Sequence, residues 1–359
     1  MTSGSVTSLR EAVRDAVRTL SDAGIDSAEF DAMALAAAAL GRTTSEVHKL
    51  MIMGVPVPQG FDDLVAERAR RVPLQHLTGK AGFRRLELSV GPGVFVPRFE
   101  TELVAGLAIT HLLRHAGKPR DGVQESGANL GTVQSTVPRS AGLDPTPSLG
   151  LRSESSTPSP GSPGRAEPSA GSTGRAEPSP GLASTVHRNP IVVDLCTGSG
   201  AIALAIKDEV PTAEVHGVEL SELAHAWAIR NRDDLGLDVD IRLGDATLAF
   251  PDLGGEVDVV VSNPPYIPVG SIPNDPEVRD HDPEVALYGG SLDGLRIPLE
   301  VAARAAALLR PGGFFVMEHA DVQGDSLRAA IGTTGLWQDI QDHDDLNGRP
   351  RAVTAVRAH

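Results

Sequence analysis

The sequence predicts an α/β protein: a doubly wound, largely parallel sheet preceded by a small helical domain. Three observations carry that expectation. From Asn189 onward, short apolar runs alternate with amphipathic segments. The first of these runs empties into a glycine-rich turn, DLCTGSG at residues 194–200, the position at which such sheets bind ligands. Residues 1–72, by contrast, carry helix patterns and cap signals throughout. At 359 residues the chain is long enough for two domains, each with its own core.

The helical part opens at Ser8-Leu-Arg-Glu11, whose spacing suits a capping box, and runs toward Gly24. Asp26 and Glu29 repeat the spacing before a second helix that closes at Gly41. Thr44–Met53 and residues 62–71 read as two further helices, split by Val55-Pro-Val-Pro58. His48 reads as an ordinary helical residue. Within residues 73–115, the alternation of Phe83, Leu86, Leu88 and Val90, then Val94 and Val96, suggests a hairpin turning at Gly91-Pro92-Gly93. Glu100 and Glu102 then open a connecting helix that runs to about His115. Arg68, Arg70, Arg71, Lys80, Arg84 and Arg85 form a local basic cluster, which reads as a solvated face. Residues 116–188 are a low-complexity tract in which GRAEPS occurs twice; too few apolar side chains are present to offset ordering entropy, so a disordered insertion is expected.

The sheet domain occupies residues 189–359. Strands are expected at Ile191–Leu195, 213–218, Val239–Leu243 and Val257–Ser262, with helices at 201–208 and 221–235 between them. A helix over 294–309 and strands at 313–318 and 352–357 follow, the last as an edge strand. The pair Glu318 and His319 reads as local packing.

Charge and cysteine usage narrow the function. Residues 1–115 carry 13 acidic and 13 basic side chains, whereas residues 189–359 carry 28 acidic against 12 basic. A domain this acidic repels a phosphate backbone, so direct nucleic-acid binding is not expected. Cys196 is the single cysteine, which fits a reducing compartment. The longest apolar run, residues 32–40, is too short to span a bilayer, and no apolar signal core stands at the amino terminus. A cytoplasmic, monomeric protein is expected. The acidic loop at residues 342–347 lacks calcium spacing because Leu346 occupies a ligand position, and no metal site is expected.

The chemistry concentrates at two places. In DLCTGSG, Gly198 and Gly200 allow close approach of backbone to a ligand, and Glu219, 19 residues past Gly200, can accept from both hydroxyls of a ribose. This suits either a nicotinamide dinucleotide or S-adenosyl-L-methionine. Asp245, at the end of the third strand, suits an adenine amino group. The fourth strand ends in Asn263-Pro264-Pro265-Tyr266, where two prolines hold the backbone extended and leave carbonyl oxygens unused. That lip is rich in acceptors and suits a planar –NH2 group. Such a nitrogen is a weak nucleophile; accepting both its N–H groups with the Asn263 side-chain oxygen and the Pro264 carbonyl favours pyramidal geometry as methyl arrives. Tyr266 would pack on the planar group. An adenine-N6 nucleic-acid methyltransferase needs the same lip, and a catalytically silent donor-binding protein remains a further alternative; a dehydrogenase has no use for it.

HLTG at residues 76–79, VFVPRFETE at 94–102, DLCTGSG, VSNPPYI at 261–267 and ALYGGSLDGL at 286–295 together resemble the HemK/PrmC family. These are glutamine-N5 methyltransferases of peptide chain release factors. The resemblance spans nearly everything outside 116–188. It implies a Rossmann-like class I methyltransferase domain and S-adenosyl-L-methionine as the donor. The implied target is the glutamine of the Gly-Gly-Gln tip of class I release factors, with the helical domain helping to dock it. The donor-binding set is then Asp194, Cys196, Thr197, Gly198, Ser199, Gly200, Glu219, Asp245, Ala246 and Asn263. Asn263, Pro264, Pro265 and Tyr266 hold the substrate, with Asn263, Pro264 and Tyr266 catalytic. Phe99 is expected to border the donor pocket. Two positions depart from the family pattern, Cys196 where glycine is usual and Phe99 where proline is usual; the cysteine is expected to fit if its φ is negative.

Overall fold

The computed structural model describes residues 7–115 and 188–359, so the expectation for 116–188 lies almost wholly outside the described residues. The helical region comprises α1 (Leu9–Asp22), α2 (Ala28–Leu40), α3 (Thr44–Met53), α4 (Phe61–Ala69) and the short α5 (Leu74–Thr78). Ser8 and Glu11 close the expected capping box on α1, and Thr43 with Glu46 closes a second on α3. Asp26 does not cap α2: Ser27 stands at that position, and its hydroxyl donates to Asp31 Oδ1 instead. Leu9, Leu20, Leu35, Val47 and Phe61 form the fully buried centre of this region.

The hairpin lies earlier than alternation suggested. β1 (Lys80–Phe83) pairs antiparallel with β2 (Leu86–Ser89), turning at Arg84-Arg85 rather than at residues 91–93. Arg84 takes φ +52°, and tertiary partners hold that turn: its N–H donates to Glu102 at 2.9 Å and its guanidinium grips Glu209. Val90, Val94 and Val96 instead pack with Ala81 and Ala224. Gly91 is favoured by crowding, since a Cβ would meet Trp227 at 2.6 Å, and Gly93 by its φ of +87°. The basic cluster is no common solvated face either. Arg68 is buried and bonded to Asp31 and Glu277, and Arg71 bonds the second oxygen of Glu277.

The connecting helix α6 (Phe99–His115) precedes β3 (Ile191–Leu195), α7 (Ala201–Glu209), β4 (Glu214–Glu219), α8 (Glu222–Leu235), β5 (Val239–Leu243) and β6 (Val257–Ser262). Then come α9 (Pro276–His281), α10 (Arg296–Leu308), β7 (Leu309–Glu318), α11 (Gly324–Gly332), β8 (Trp337–Asp344) and β9 (Pro350–Arg357). The seven strands are ordered β5-β4-β3-β6-β7-β9-β8; those from β5 to β7 are parallel, and β9 is antiparallel to both its neighbours. The 352–357 strand is therefore interior, and β8 is the edge. β8 also takes in Asp342, part of the expected acidic loop.

β3 and β6 are buried at every position, as expected of strands covered on both faces. One core joins the sheet to α6, α7 and Ala228 of α8; the other joins it to α10 and α11. The chain winds β3-β4-β5 one way and β6-β7 the other, so the switch point falls between β3 and β6. That is where a doubly wound sheet opens a crevice for ligands. No described helix is long and apolar enough to cross a membrane.

Candidate active site

A cavity of about 670 Å³ opens at the carboxyl ends of β3, β4, β5 and β6. Its walls come from the loop after β3, the end of β4, the turn after β5, the lip after β6, and the start of α6. Of the expected donor-binding residues, Cys196, Thr197, Gly198, Ser199, Glu219, Asp245, Ala246 and Asn263 line it, as do Pro264, Pro265 and Tyr266.

Asp194 and Gly200 stand behind that wall. Asp194 Oδ2 accepts from Thr197 Oγ1 at 2.6 Å and from the Ala203 N–H at 3.2 Å, fixing the loop to the start of α7. Full burial pushes this carboxyl up to about 7, against those two hydrogen bonds. Gly200 has φ +85° and sits against Leu204 and Ala228. Asn231 braces the same loop: its amide donates to the Ser199 carbonyl and is doubly bonded to Ser89 of β2. The condition for an easy fit of Cys196, a negative φ, is not met: its φ is +68°, in the left-handed region that favours glycine. Burial, with Glu219 and Asp194 nearby, pushes its thiol above the ordinary thiol range, which disfavours the thiolate.

Glu219 stands at the end of β4 with Oε2 accepting from Gly198 N–H at 2.9 Å and Oε1 from Ser221 N–H at 2.8 Å. Each oxygen retains a lone pair for a diol. Burial raises its pKa against these N–H bonds. Asp245 is exposed to the cavity, its Oδ1 held by the N–H and hydroxyl of Thr247, both at 2.8 Å. These groups fit a nucleoside with a ribose and an exocyclic amine.

The lip is held from behind. Ser262 Oγ donates to the Leu195 carbonyl at 2.5 Å, locking β6 to β3 just before it. Asn263 Nδ2 donates to Thr101 Oγ1 at 3.1 Å, and Tyr266 OH donates to Glu318 Oε1 at 3.0 Å. The Tyr266 carbonyl accepts from Gln323 Nε2 at 2.9 Å, and the same amide group reaches Asp293 O at 2.7 Å. Gly294 lies under this carbonyl with φ +73°, and a Cβ there would stand 2.1 Å from it.

Besides Cys196, two sequence expectations fail here, and several supports were missed. Phe99 is 81% exposed and does not line the cavity, because it is the first residue of α6 and points to solvent. Glu318 is no mere packing residue: β6–β7 register pairs Ser262 with Met317, which sets Glu318 beside the lip. Thr101 and Gly294 lie inside quoted motifs without an assigned role, and Asn231 and Gln323 lie outside them. The available signal was the run of adjacent strand ends, which places the residue after β7 near the residue after β6.

Comparison with known proteins agrees with this architecture. Residues 11–79 match the PrmC N-terminal domain and residues 179–271 the methyltransferase small domain. A release factor glutamine methyltransferase of Streptomyces coelicolor is 41% identical over 347 residues, covering 96% of this chain and 97% of that protein. One from Bifidobacterium longum is 36% identical, covering 97% and 99%. A 4-amino-L-phenylalanine/4-methylamino-L-phenylalanine methyltransferase of Streptomyces pristinaespiralis is 33% identical, covering 98% and 96%. With near-complete coverage on both sides, and the glycine loop, acidic strand ends and proline lip meeting in one cavity, the chain belongs to the release factor glutamine methyltransferase family.

Proposed function

We propose that this protein transfers a methyl group from S-adenosyl-L-methionine to the side-chain amide nitrogen of the glutamine in the Gly-Gly-Gln tip of class I peptide chain release factors. One observation carries the reading most. Asn263 spends its amide N–H on Thr101, so its carboxamide oxygen is left for the cavity, next to the extended Pro264 backbone. Two acceptors side by side suit a nitrogen with two N–H groups. The relative named for 4-amino-L-phenylalanine fits the same logic, since an aryl amine also has a delocalised lone pair and two N–H groups.

The donor supplies an electrophilic methyl group on a sulfonium sulfur. Cavity residues fit it: Glu219 offers oxygens to the ribose hydroxyls, Asp245 an acceptor to the adenine amine, and Gly198 close backbone approach. Asn263 Oδ1 and the Pro264 carbonyl hold the amide nitrogen by its two protons and favour the pyramidal form. Tyr266 stays protonated, because burial and the Glu318 carboxylate push its phenol well above the ordinary range, and the bond to Glu318 fixes its ring as a wall for the planar amide. On transfer the nitrogen would gain the methyl as the carbon–sulfur bond breaks with its electron pair left on sulfur, and it would lose one proton, made strongly acidic by alkylation, to solvent without a dedicated base. The helical region serves to dock the release factor.

The test is a competition of acceptors. The protein and labelled donor are incubated with an unmethylated release factor, with 4-amino-L-phenylalanine and with duplex DNA. Mass spectrometry of the release-factor peptide should find one added methyl on the Gly-Gly-Gln glutamine, and the other two acceptors should remain far behind. Methylation of DNA with an untouched glutamine would overturn the reading.

A further inference from the structure

An asparagine amide can turn over, presenting either its oxygen or its NH2 to a ligand, and only one presentation is useful to an acceptor lip. Oδ1 accepts the substrate N–H; a turned amide would instead point two donors at two donors. The reading above therefore depends on what fixes Asn263.

Hydrogen-bond polarity behind the lip answers this. Glu318 is buried at the end of β7; burial raises its pKa, while the Thr101 and Tyr266 hydroxyls and Arg351 favour the charged form, in which it only accepts. It accepts from Tyr266 OH at 3.0 Å. The Thr101 hydroxyl faces the same carboxylate and favours its charged form, though in looser geometry, since Oε2 lacks a regular partner. Arg351 adds a positive charge nearby. A hydroxyl turned toward that carboxylate presents its lone pairs to Asn263, and the amide NH2 is the group that can meet them. Asn263 Nδ2 does meet Thr101 Oγ1, at 3.1 Å. Polarity thus runs one way, from Asn263 through Thr101 to Glu318.

We infer that Thr101, on α6 outside the sheet, is a positioning residue for methyl transfer, and that with the Glu318 carboxylate it holds the Asn263 amide with its oxygen facing the substrate. The inference rests on the functional reading above and extends it to the helix that precedes β3. One bond thereby makes the connecting helix part of the reaction geometry, and the same carboxylate fixes the Tyr266 ring.

The test compares single-turnover methyl transfer to release factor, donor affinity and thermal midpoint in wild type, Thr101→Val, Thr101→Ser and Glu318→Gln. Valine keeps the shape and removes the hydroxyl; serine keeps the hydroxyl; glutamine can donate where the carboxylate only accepts. Thr101→Val should slow transfer about tenfold, the worth of one oriented hydrogen bond, with donor affinity within about twofold of wild type. Thr101→Ser should recover most of the rate. Glu318→Gln should slow transfer to a similar degree, and Thr101→Val combined with it should be little worse than either alone. Transfer by Thr101→Val at the wild-type rate, or equal losses in the valine and serine variants, would overturn the inference. A wild type that leaves the glutamine unmodified would instead overturn the functional reading, before any variant is compared.

Discussion

Arg68 is the buried tie between the helical region and the segment before α10, and replacing it with methionine should cost about 3–4 kcal/mol of stability. The magnitude follows from what the guanidinium holds. Its side chain is 8% exposed and that of Asp31 only 2%. It donates to Asp31 Oδ2 at 2.6 Å, to the Val72 carbonyl at 3.1 Å and to Glu277 Oε1 at 2.8 Å. Methionine fills most of the volume but leaves the Asp31 carboxylate buried with, among the described residues, only the Ser27 hydroxyl as a side-chain partner. Removing one member of a buried pair typically costs about 3–5 kcal/mol; the lower half of that range applies because Glu277 keeps Arg71 at 2.7 Å. Urea unfolding followed by far-ultraviolet circular dichroism measures the loss. Adding Asp31→Leu to the same chain removes the stranded charge and should recover part of it. Because Asp275 and Val278 of the same segment line the cavity, KM for release factor should rise more than the transfer rate falls. A loss below about 1 kcal/mol would refute the reasoning, since that is the worth of an exposed pair.

Gly294→Ala should slow methyl transfer at least tenfold while donor affinity stays nearly intact, because its Cβ would displace the Tyr266 carbonyl and with it the lip; isothermal titration beside single-turnover kinetics separates the two effects. Asp194 makes stability fall with rising pH: its carboxyl titrates at about 7 when folded against about 3.9 unfolded, so its favourable contribution is present below the unfolded value and lost as pH climbs toward 7. Between pH 5 and pH 7.5 the wild type should lose about 2–3 kcal/mol relative to Asp194→Asn, measured by urea midpoints of both proteins at each pH.

The sheet was legible where short apolar runs end in turn signals. β3, β5 and β6 have the limits that their apolar runs suggest, and the three ligand-facing turns follow from glycine, acidic and proline signals at those strand ends. β8 was not legible because WQDIQDHD is an exposed polar edge whose pattern lacks an apolar face. The hairpin was misplaced because its turn depends on Glu102 and Glu209, partners distant in sequence, rather than on glycine. In the site, most residues that line the cavity at the strand ends could be read, but their supports could not. Thr101 and Asn263 are 162 positions apart, and only packing of α6 on β6 and β7 joins them. Cys196 shows the opposite case: the glycine-rich turn was recognised, yet a cysteine stands at a φ of +68° where an easy fit required a negative one.

The central claim is that the Asn263 oxygen and the Pro264 carbonyl together hold an amide nitrogen for methylation. Its most direct measurement is the rate of methyl transfer to release-factor glutamine by Asn263→Ala, taken beside that protein's affinity for the donor. Transfer should fall by at least a hundredfold, the usual scale for losing one preorganised polar group in a reacting site, while donor affinity weakens only modestly. An Asn263→Ala protein that methylates the glutamine near the wild-type rate would contradict the account.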